Sequence, residues 1–415
     1  MPFCFRSERI LVETGGIMKS HREIAEQLDL FHSDPNGPGM VFWHPNGWRL
    51  FQTVLNHMRR TYQHNGFQEI NTPVFLKQEL WRISGHLDKF IDNMFMGGDR
   101  QSPSAYTLKP MSCPAHILYF KRGVYSYRDL PFRIFEFGTV HRNEPSGSLN
   151  GCLRLRQFTQ DDAHVFCKWD QAEAEIIGFL NRAKKVYGAY GFDGIQVKVS
   201  TQPENSFGER ADWERAENLL ASACHATGHK FDYQVGEGAF YGPKVELSLR
   251  DAMSREWQCG TIQLDFNLPQ RFNIAYVEKG QQYQQPVILH QAMYGSIERW
   301  IGILLESYQD KLPAWIHPVP VAIATVADVA VKYAQEIEQL LATANISVMV
   351  DASNNTISRK LKRFHDLQVP CMLVLGQKEI SGRYVNLRSL EQNDNQHVPL
   401  DSLLALMEHK LAAPE

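Results

Sequence analysis

The chain is sparing in several of the features that assign a protein to a class at once. Its 415 residues hold only seven cysteines, an odd number scattered over a long chain. That excludes a disulfide framework and predicts a reducing compartment, the cytoplasm. No apolar run approaches the roughly 18 residues of a membrane span, so no membrane partner is expected. Lys and Arg (43) nearly balance Asp and Glu (46), for a formal net charge of −3. No global positive field draws in a nucleic acid, and any polyanion must meet local basic patches. Internal repeats and low-complexity tracts are absent too. The opening MPFCFRSERILVETGG lacks the apolar core of a secretion signal. Residues 1–19 read as an N-terminal extension ahead of a body that begins near Met18, although Arg6, Arg9 and Arg22 leave an organelle-targeting reading open.

What is present is an ordinary globular composition, 43% hydrophobic and 21% charged, in a chain long enough for two or three domains. Residues 20–32 set Ile24, Leu28 and Phe31 at helical spacing behind Ser20 as an N-cap. SDPNGPGMVFWHPNG predicts a loop around an apolar strand. Over 48–64, Leu50, Phe51, Val54, Leu55 and Met58 share one helical face, ended by Asn65-Gly66. FQEINTPVF follows as a strand interrupted by Pro73, which suits an edge or an interface because proline cannot donate to a ladder.

FRIFEFGTV, LRLRQFT, GIQVKVS, KVELSLR, TIQLDFNL and PVILHQAMYG then read as strands, with helices near 170–188 and 212–227. So few intervening helices predict a mainly antiparallel sheet and an α+β domain over 20–313. Pro313 and Pro318 mark a linker. Beyond it VPVAIATV, ISVMVD and CMLVLG alternate with helices near 327–343 and 356–367, the βαβαβ pattern of a small α/β domain over 318–415.

Three groups of residues carry chemistry. Arg142, Glu144, Arg154 and Arg156 lie on or between two strands, so their side chains converge on one face. Arginines fixed in this way clamp phosphates bidentately, and a nearby glutamate orients a base or an amine; the competing reading is a cross-strand ladder of salt bridges. Arg299, in GSIERWIGILLES, sits in the first turn of a helix whose Ile297, Ile301, Leu304 and Leu305 share one side. A helix start favours an anion, against the alternative of a solvated helix-face arginine. Cys113, His164 and His290 offer one sulfur and two imidazoles, a good zinc set, but they lie too far apart in sequence to form a local metal motif.

PGMVFWHPNGW, LKPMSCPAH, YSYRDLPFRIFEFGTVHRNEPSGSLNGCLRLRQFTQDDAHVF, GEGAFYGPKVE, QCGTIQLDFNLPQRF and GSIERW together resemble the threonyl-tRNA synthetases, which are class II aminoacyl-tRNA synthetases, over about residues 20–415. The resemblance implies the class II fold, an antiparallel sheet flanked by helices, followed by an anticodon-binding domain. It implies ATP-dependent activation of L-threonine to the adenylate and transfer to tRNA(Thr), by a form without the family's N-terminal editing domains. A factor editing in trans is then a conceivable partner.

The helix at 48–64 and the strand through Pro73 resemble the family's dimer interface, which implies a homodimer. Arg142 corresponds to the residue holding the α-phosphate and the substrate carboxylate, Glu144 to the reader of the adenine amine, and Arg154 and Arg299 to the contacts of a bent triphosphate with Mg²⁺. Phe158 would stack on adenine, and Gln258 belongs to the same ATP set. Lys244, in YGPK, would add positive charge near the reacting groups.

Cys113, His164 and His290 match the zinc ligands, and the ion is expected to take threonine's amine and hydroxyl. Valine cannot ligate in that way, and an apolar pocket alone separates such pairs poorly. Gln160, Asp162, Tyr241, Cys259 and Gln263 form the expected threonine pocket, and His86 corresponds to a histidine that assists transfer. The family's usual MNCPGH and HRAILG stand here as MSCPAH and HQAMYG. Ser112, Ala115, Gln291, Met293 and Tyr294 therefore differ, and Tyr294 is expected either to repack the pocket surroundings or to alter the accepted amino acid.

In the last domain Glu379 and Arg388 match positions associated with anticodon reading, and Lys362 joins Arg359, Lys360 and Arg363 in a basic patch for phosphates. SNNTISRKLKRF departs from the segment expected there. The alternative reading is a paralogue that adenylates threonine, or a related β-hydroxy amino acid, for a carrier protein or a small molecule.

Overall fold

The structure is a computed structural model that describes residues 18–98, 105–250, 255–309, 311–390 and 395–414. The extension expected at 1–19 lies, up to residue 17, outside the described residues. The chain forms two compact units. One comprises Ser33–Val41 with Leu55–Ile303, the other the described parts of Thr14–His32, Phe42–Val54 and Leu304–Glu415.

The first unit is built on β1 (Gln68–Glu69), β2 (Phe132–His141), β3 (Gln157–Cys167), β4 (Gln196–Ser200), β5 (Phe231–Gln234), β6 (Lys244–Arg250), β7 (Glu256–Asp265) and β8 (Val287–Ser296). They form one sheet in the order β5-β4-β6-β7-β8-β3-β2-β1. Every neighbouring pair from β4 to β2 is antiparallel, and each edge is closed by a parallel pair, β5 with β4 and β1 with β2. The expected antiparallel sheet is thus the centre of a mixed one. Helix Trp169–Ala189 packs on one face, burying Ile176, Phe179, Leu180, Ala183 and Tyr187. The Tyr187 hydroxyl donates to the carbonyl of Met293 at 2.6 Å, which ties the helix to β8.

Two expected strands end differently. LRLRQFT does not pair along its length: β3 starts only at Gln157, because the N–H of Arg156 is taken by the carbonyl of Gly39 at 2.8 Å. FQEINTPVF divides between two sheets. Gln68–Glu69 joins the large sheet, while Phe75–Lys77 pairs with Tyr106–Leu108 in a separate three-stranded sheet. Pro73 lies in the break, and the N–H of Thr72 turns to the buried carboxylate of Glu136 at 2.8 Å. Before these, the long helix runs Pro45–His64 and ends where Gly66 takes φ +78°, a conformation that favours glycine.

In the second unit, helix His21–Gln27 is capped by Ser20 and Glu23 and stops before Asp29, whose φ is +54°. The expected helix over 20–32 is therefore shorter, and Phe31–His32 continues as a strand paired with Phe42–Trp43. The last domain has five strands. Val348–Asp351, Val321–Thr325 and Cys371–Leu375 are parallel neighbours, extended antiparallel by Tyr384–Ser389 and Asn395–Pro399. The βαβαβ core is present, with helices Val331–Ala342 and Ile357–Asp366 as its crossovers.

Tyr294 is fully buried. Its ring stacks on Trp300 with centroids 4.6 Å apart, and its hydroxyl meets Tyr190 at 3.0 Å and His57 Nδ1 at 2.9 Å. Burial, helped by Arg60, holds the His57 imidazole at about 4 instead of 6.5. Between those values the unfolded chain takes up a proton that the folded chain refuses, so stability should fall as pH drops from 6.5 towards 4. The whole shift is worth roughly 3 kcal/mol. Urea midpoints followed across that interval should decline less steeply in His57→Gln than in the parent.

Candidate functional site

Side chains alternate along a strand, so register decides which of them share a face. Across five strands the register builds two rungs. One runs Ile134, His164, His290, Gln263, Lys244; the next runs Glu136, Asp162, Ala292, Thr261, Glu246. Phe158 and Gln160 continue the same face of β3. A one-residue slip of β3 would send Gln160, Asp162 and His164 to the opposite side.

Above this face lie two adjoining recesses that share Arg142, Gln160 and Gln263. The first gathers Arg142, Glu144, Arg154, Phe158, Gln258, Cys259 and Arg299. Arg154 pairs with Glu144 at 2.9 Å. The guanidinium of Arg142 lies 5.2 Å from the Phe158 ring centroid, and its Nε donates to the carbonyl of Pro110 at 3.2 Å. Arg299 Nε donates to the carbonyl of Leu153 at 2.9 Å. A guanidinium carries five N–H donors, so these tethers leave others for an anion. Burial lowers the basicity of Arg142 and Arg299; a neighbouring guanidinium adds to it, Arg299 for Arg142 and Arg154 for Arg299, and Glu144 offsets part of it. Cys259 is buried, its thiol pushed up to about 12.

The second recess holds Cys113, Asp162, His164, Tyr241 and His290. One ligand atom each from Cys113, His164 and His290 lies within 4.8 Å of the others, and all three residues are buried. His164 Nε2 and His290 Nδ1 stand 2.8 Å apart. His290 Nε2 is spent on Asp265 Oδ2 at 2.9 Å, and Asp265 is itself fixed by the N–H groups of Asn267 and Leu268 at 2.8 and 2.9 Å. A neutral His290 thus turns a bare Nδ1 towards His164. Burial, with Asp162 and Asp265 nearby, drives the Cys113 thiol well above its ordinary value, so only a cation alongside makes it a thiolate. One sulfur, two imidazoles and a carboxylate behind one of them fit a divalent ion such as zinc.

The remaining expected residues divide. Tyr241 closes the second recess, its hydroxyl bonded to Gln263 and its ring centroid 5.2 Å from that of His290. Gln160 Oε1 is buried without a partner among the described residues. Lys244 lies on the same sheet face, but its ammonium is 2.6 Å from Glu246, which also accepts from Gln258 at 2.7 Å. His86 borders neither recess. It is fully buried, edge-on to Phe240, and its imidazole is pushed down to about 3 by burial with His290, Arg142 and Arg271 adding to it.

Among the departures, Ser112 donates its N–H to Asp162 Oδ2 at 3.2 Å, and Gln291 reaches Arg182 at 3.0 Å. Tyr294, packed with Tyr190 and Trp300, lines neither recess, so of its two expected roles the structure gives it the packing one.

In the last domain Lys362 and Arg388 line one groove. Glu379 is not part of that groove: its carboxylate caps a helix start by accepting the N–H of Gly376 at 2.8 Å. The basic patch is smaller than expected. Lys360 is buried, donating to the carbonyls of Thr325 and Asp351, and Arg363 faces Asp351 at 3.5 Å.

Two residues that shape the site are unforeseen. Between Ala292 and Ser296, β8 carries three residues opposite the single Asp161 of β3. The Asp161 carboxylate fills this bulge, accepting the N–H groups of Met293 at 2.7 Å, Tyr294 at 3.1 Å and Gly295 at 2.9 Å. Gly295 sits at φ +76°, where a Cβ would come within 2.6 Å of the Cys259 carbonyl oxygen. Just beyond, Glu298 accepts the N–H of Thr159 at 2.9 Å and the hydroxyl of Ser296 at 3.0 Å, fixing the turn that presents Arg299. Burial raises both carboxyls to about 7 against those bonds. The only local cue was the doubled Asp161-Asp162, one residue for each face of the sheet.

One sheet face thus gathers arginines, an aromatic ring and a Cys/His/His cluster. Residues 95–308 match the class II tRNA synthetase core domain (G, H, P, S and T), and residues 320–410 match an anticodon binding domain. The chain is 44% identical to a threonine–tRNA ligase of Thiobacillus denitrificans over 95% of its own length and 62% of the relative's, and 43% identical to that of Methylococcus capsulatus over 93% and 60%. It thus spans about three fifths of the length of these curated relatives. A crystal structure titled as the RNA binding domain of threonyl-tRNA synthetase from Cryptosporidium parvum Iowa II superimposes with a TM-score of 0.92 at 39% identity, covering 96% of this chain and 99% of that one. The chain belongs to the class II tRNA synthetases, in the threonyl-tRNA synthetase family.

Replacing Asp161 by Ala leaves three backbone N–H groups of the bulge without an acceptor. Unfolding free energy in urea should fall by on the order of 3 kcal/mol. Asp161→Asn, which keeps one acceptor oxygen, should lose less.

Proposed function

We propose that the chain activates L-threonine with ATP and transfers it to the 3′ end of tRNA(Thr). The observation that carries this reading is the adjacency of a Cys113–His164–His290 cluster and an Arg142–Glu144–Arg299 recess on one sheet face. The names of the curated relatives support the tRNA acceptor over a carrier protein.

Arg142 would bridge the two halves, meeting the α-phosphate on one side and the amino-acid carboxylate on the other. A carboxylate oxygen attacks the α-phosphorus, a new P–O bond forms, and the bond to the leaving pyrophosphate breaks. Arg154 and Arg299, with Mg²⁺, would neutralise that leaving charge, while Phe158 and Glu144 would hold adenine and Gln258 the nucleotide's flank. The protein's contribution is positioning and electrostatics. Lys244, held by Glu246, would add charge at the edge.

A bound Zn²⁺ supplies a Lewis-acidic point that an amine and a β-hydroxyl can both ligate. Cys113, His164 and His290 would hold it, and Gln160, Asp162, Tyr241, Cys259 and Gln263 would frame the substrate. The orphaned Gln160 Oε1 supports a polar guest there. In transfer, the terminal ribose hydroxyl attacks the carbonyl and AMP leaves. His86, buried against Phe240 and Tyr241, would assist this step indirectly by positioning Tyr241.

We assign residues 20–313 to catalysis and 318–415 to anticodon binding, with Lys362 and Arg388 in its groove as contacts and Glu379 acting through the helix start it caps. The working form would be a cytoplasmic homodimer; the six cysteines among the described residues are buried and joined in no disulfide, which fits a reducing compartment. Among the described residues no helix is long and apolar enough to cross a membrane.

Amino-acid-dependent ATP–pyrophosphate exchange followed by charging of a tRNA(Thr) transcript tests the reading. Threonine should support both steps and valine neither. Cys113→Ala should lose bound zinc and threonine-dependent exchange together. Exchange without charging would remove the tRNA half of the proposal, and no exchange with any amino acid would remove all of it.

A further inference from the structure

His164 is held from behind by buried polar groups that touch no proposed substrate. Its Nδ1 lies 2.7 Å from His116 Nδ1, and the two rings meet edge-on at 4.5 Å. His116 Nε2 in turn lies 3.5 Å from Glu136 Oε1. The same oxygen receives Lys109 Nζ at 2.5 Å and the Thr72 hydroxyl at 3.0 Å, and Glu136 Oε2 takes the Thr72 N–H at 2.8 Å. Lys109 also donates to Thr72 Oγ1 at 2.9 Å. His116 and Glu136 are 0% exposed, Lys109 1% and Thr72 8%.

An ion pair so fully removed from water is weak support for stability by itself, because desolvation offsets most of the attraction. Its hydrogens, however, run one way. Lys109 can only donate, and a carboxylate paired with it can only accept. At 3.5 Å this is a charge contact and not a formed hydrogen bond, but the carboxylate still favours the hydrogen of a neutral His116 on the nitrogen that faces it, which leaves Nδ1 as an acceptor. His164 must then donate from Nδ1, which bares its Nε2 towards His290 Nδ1, 2.8 Å away. From the opposite end Asp265 sets His290 in the same way, so two carboxylates drive two lone pairs into one gap beside Cys113.

We propose that His116 and Glu136 are positioning residues for the metal: the Thr72–Lys109–Glu136–His116 relay fixes the tautomer and orientation of His164 and thereby presents its Nε2 to the ion. The inference rests on the reading that Cys113, His164 and His290 hold a divalent ion. Partners behind a metal-bound histidine typically matter by 10- to 100-fold, that is about that factor in affinity.

The test compares His116→Leu, which fills the space with no acceptor, with His116→Asn, whose Oδ1 replaces Nδ1 as the acceptor. Zinc affinity is measured by chelator competition on the intact protein, and the cobalt-substituted form is followed by its visible absorption. His116→Leu should bind zinc about 10- to 100-fold more weakly, with an altered cobalt spectrum and a raised KM for threonine but not for ATP in pyrophosphate exchange. His116→Asn should recover most of the affinity and the parent spectrum.

If the leucine variant fails to fold, Glu136→Gln probes the same relay from its other side and should shift affinity in the same direction. Equal affinity in parent and leucine variants, or equal impairment in leucine and asparagine variants, overturns the inference. A parent protein that binds no divalent ion overturns the metal reading beneath it as well.

Discussion

The site depends on register. Five neighbouring strands are locked so that His164 stands opposite His290, His290 opposite Gln263, and Asp162 opposite Ala292. Strand side chains alternate, so this pairing alone sorts a dense polar sequence into a functional face and a packing face. Asp161 and Asp162 show the division most clearly. Asp162 joins the recess beside His164, and Asp161 points away to fill the bulge of β8. The bulge then lets β8 turn into the helix that presents Arg299, so one strand carries both His290 and the approach to the arginine-lined recess.

Buried carboxylates do most of the arranging. Asp265 orients His290, Asp161 holds the bulge, and Glu298 joins β3 to the turn before Arg299. Each accepts several hydrogen bonds, as a carboxylate removed from water must. The cations are arranged differently. Arg142, Arg154 and Arg299 each have one or two tethers and remain partly accessible around a cleft suited to anions. The result is a surface whose buried parts are held by carboxylates and whose recesses gather arginines beside a Cys/His/His cluster.

Much of this was legible in the sequence. The strand at KVELSLR begins and ends at the quoted residues, and the helical stripe from Leu50 to Met58 is buried as its spacing predicts. Arg142 of HRNEPSG and Arg154 of LRLR do share a recess with Arg299, whereas Arg156 turns to the Glu144 carbonyl and the Ser146 hydroxyl. Contacts made far apart in sequence were not legible from pattern. Cys113, His164 and His290 meet only because a helix start and two strands converge, and spacing carries no trace of that; resemblance supplied the set. Asp161 resembled any second acid in a polar run, since its partners are backbone groups with no sequence signature. LRLRQFT alternated like a strand, yet its N–H groups were claimed elsewhere, by Gly39. Lys360 looked like part of a basic surface and is instead an internal donor, because period alone does not tell which face of a short helix is covered.

The proposed function requires this face to hold a divalent ion between Cys113, His164 and His290 and to offer it to threonine. X-ray absorption at the zinc edge, on the protein as purified and then with threonine added, addresses it most directly. One sulfur and two imidazole nitrogens should ligate the metal, with an added nitrogen or oxygen contribution when threonine binds. A protein without zinc, or one whose metal has no sulfur ligand and does not respond to threonine, would contradict the account.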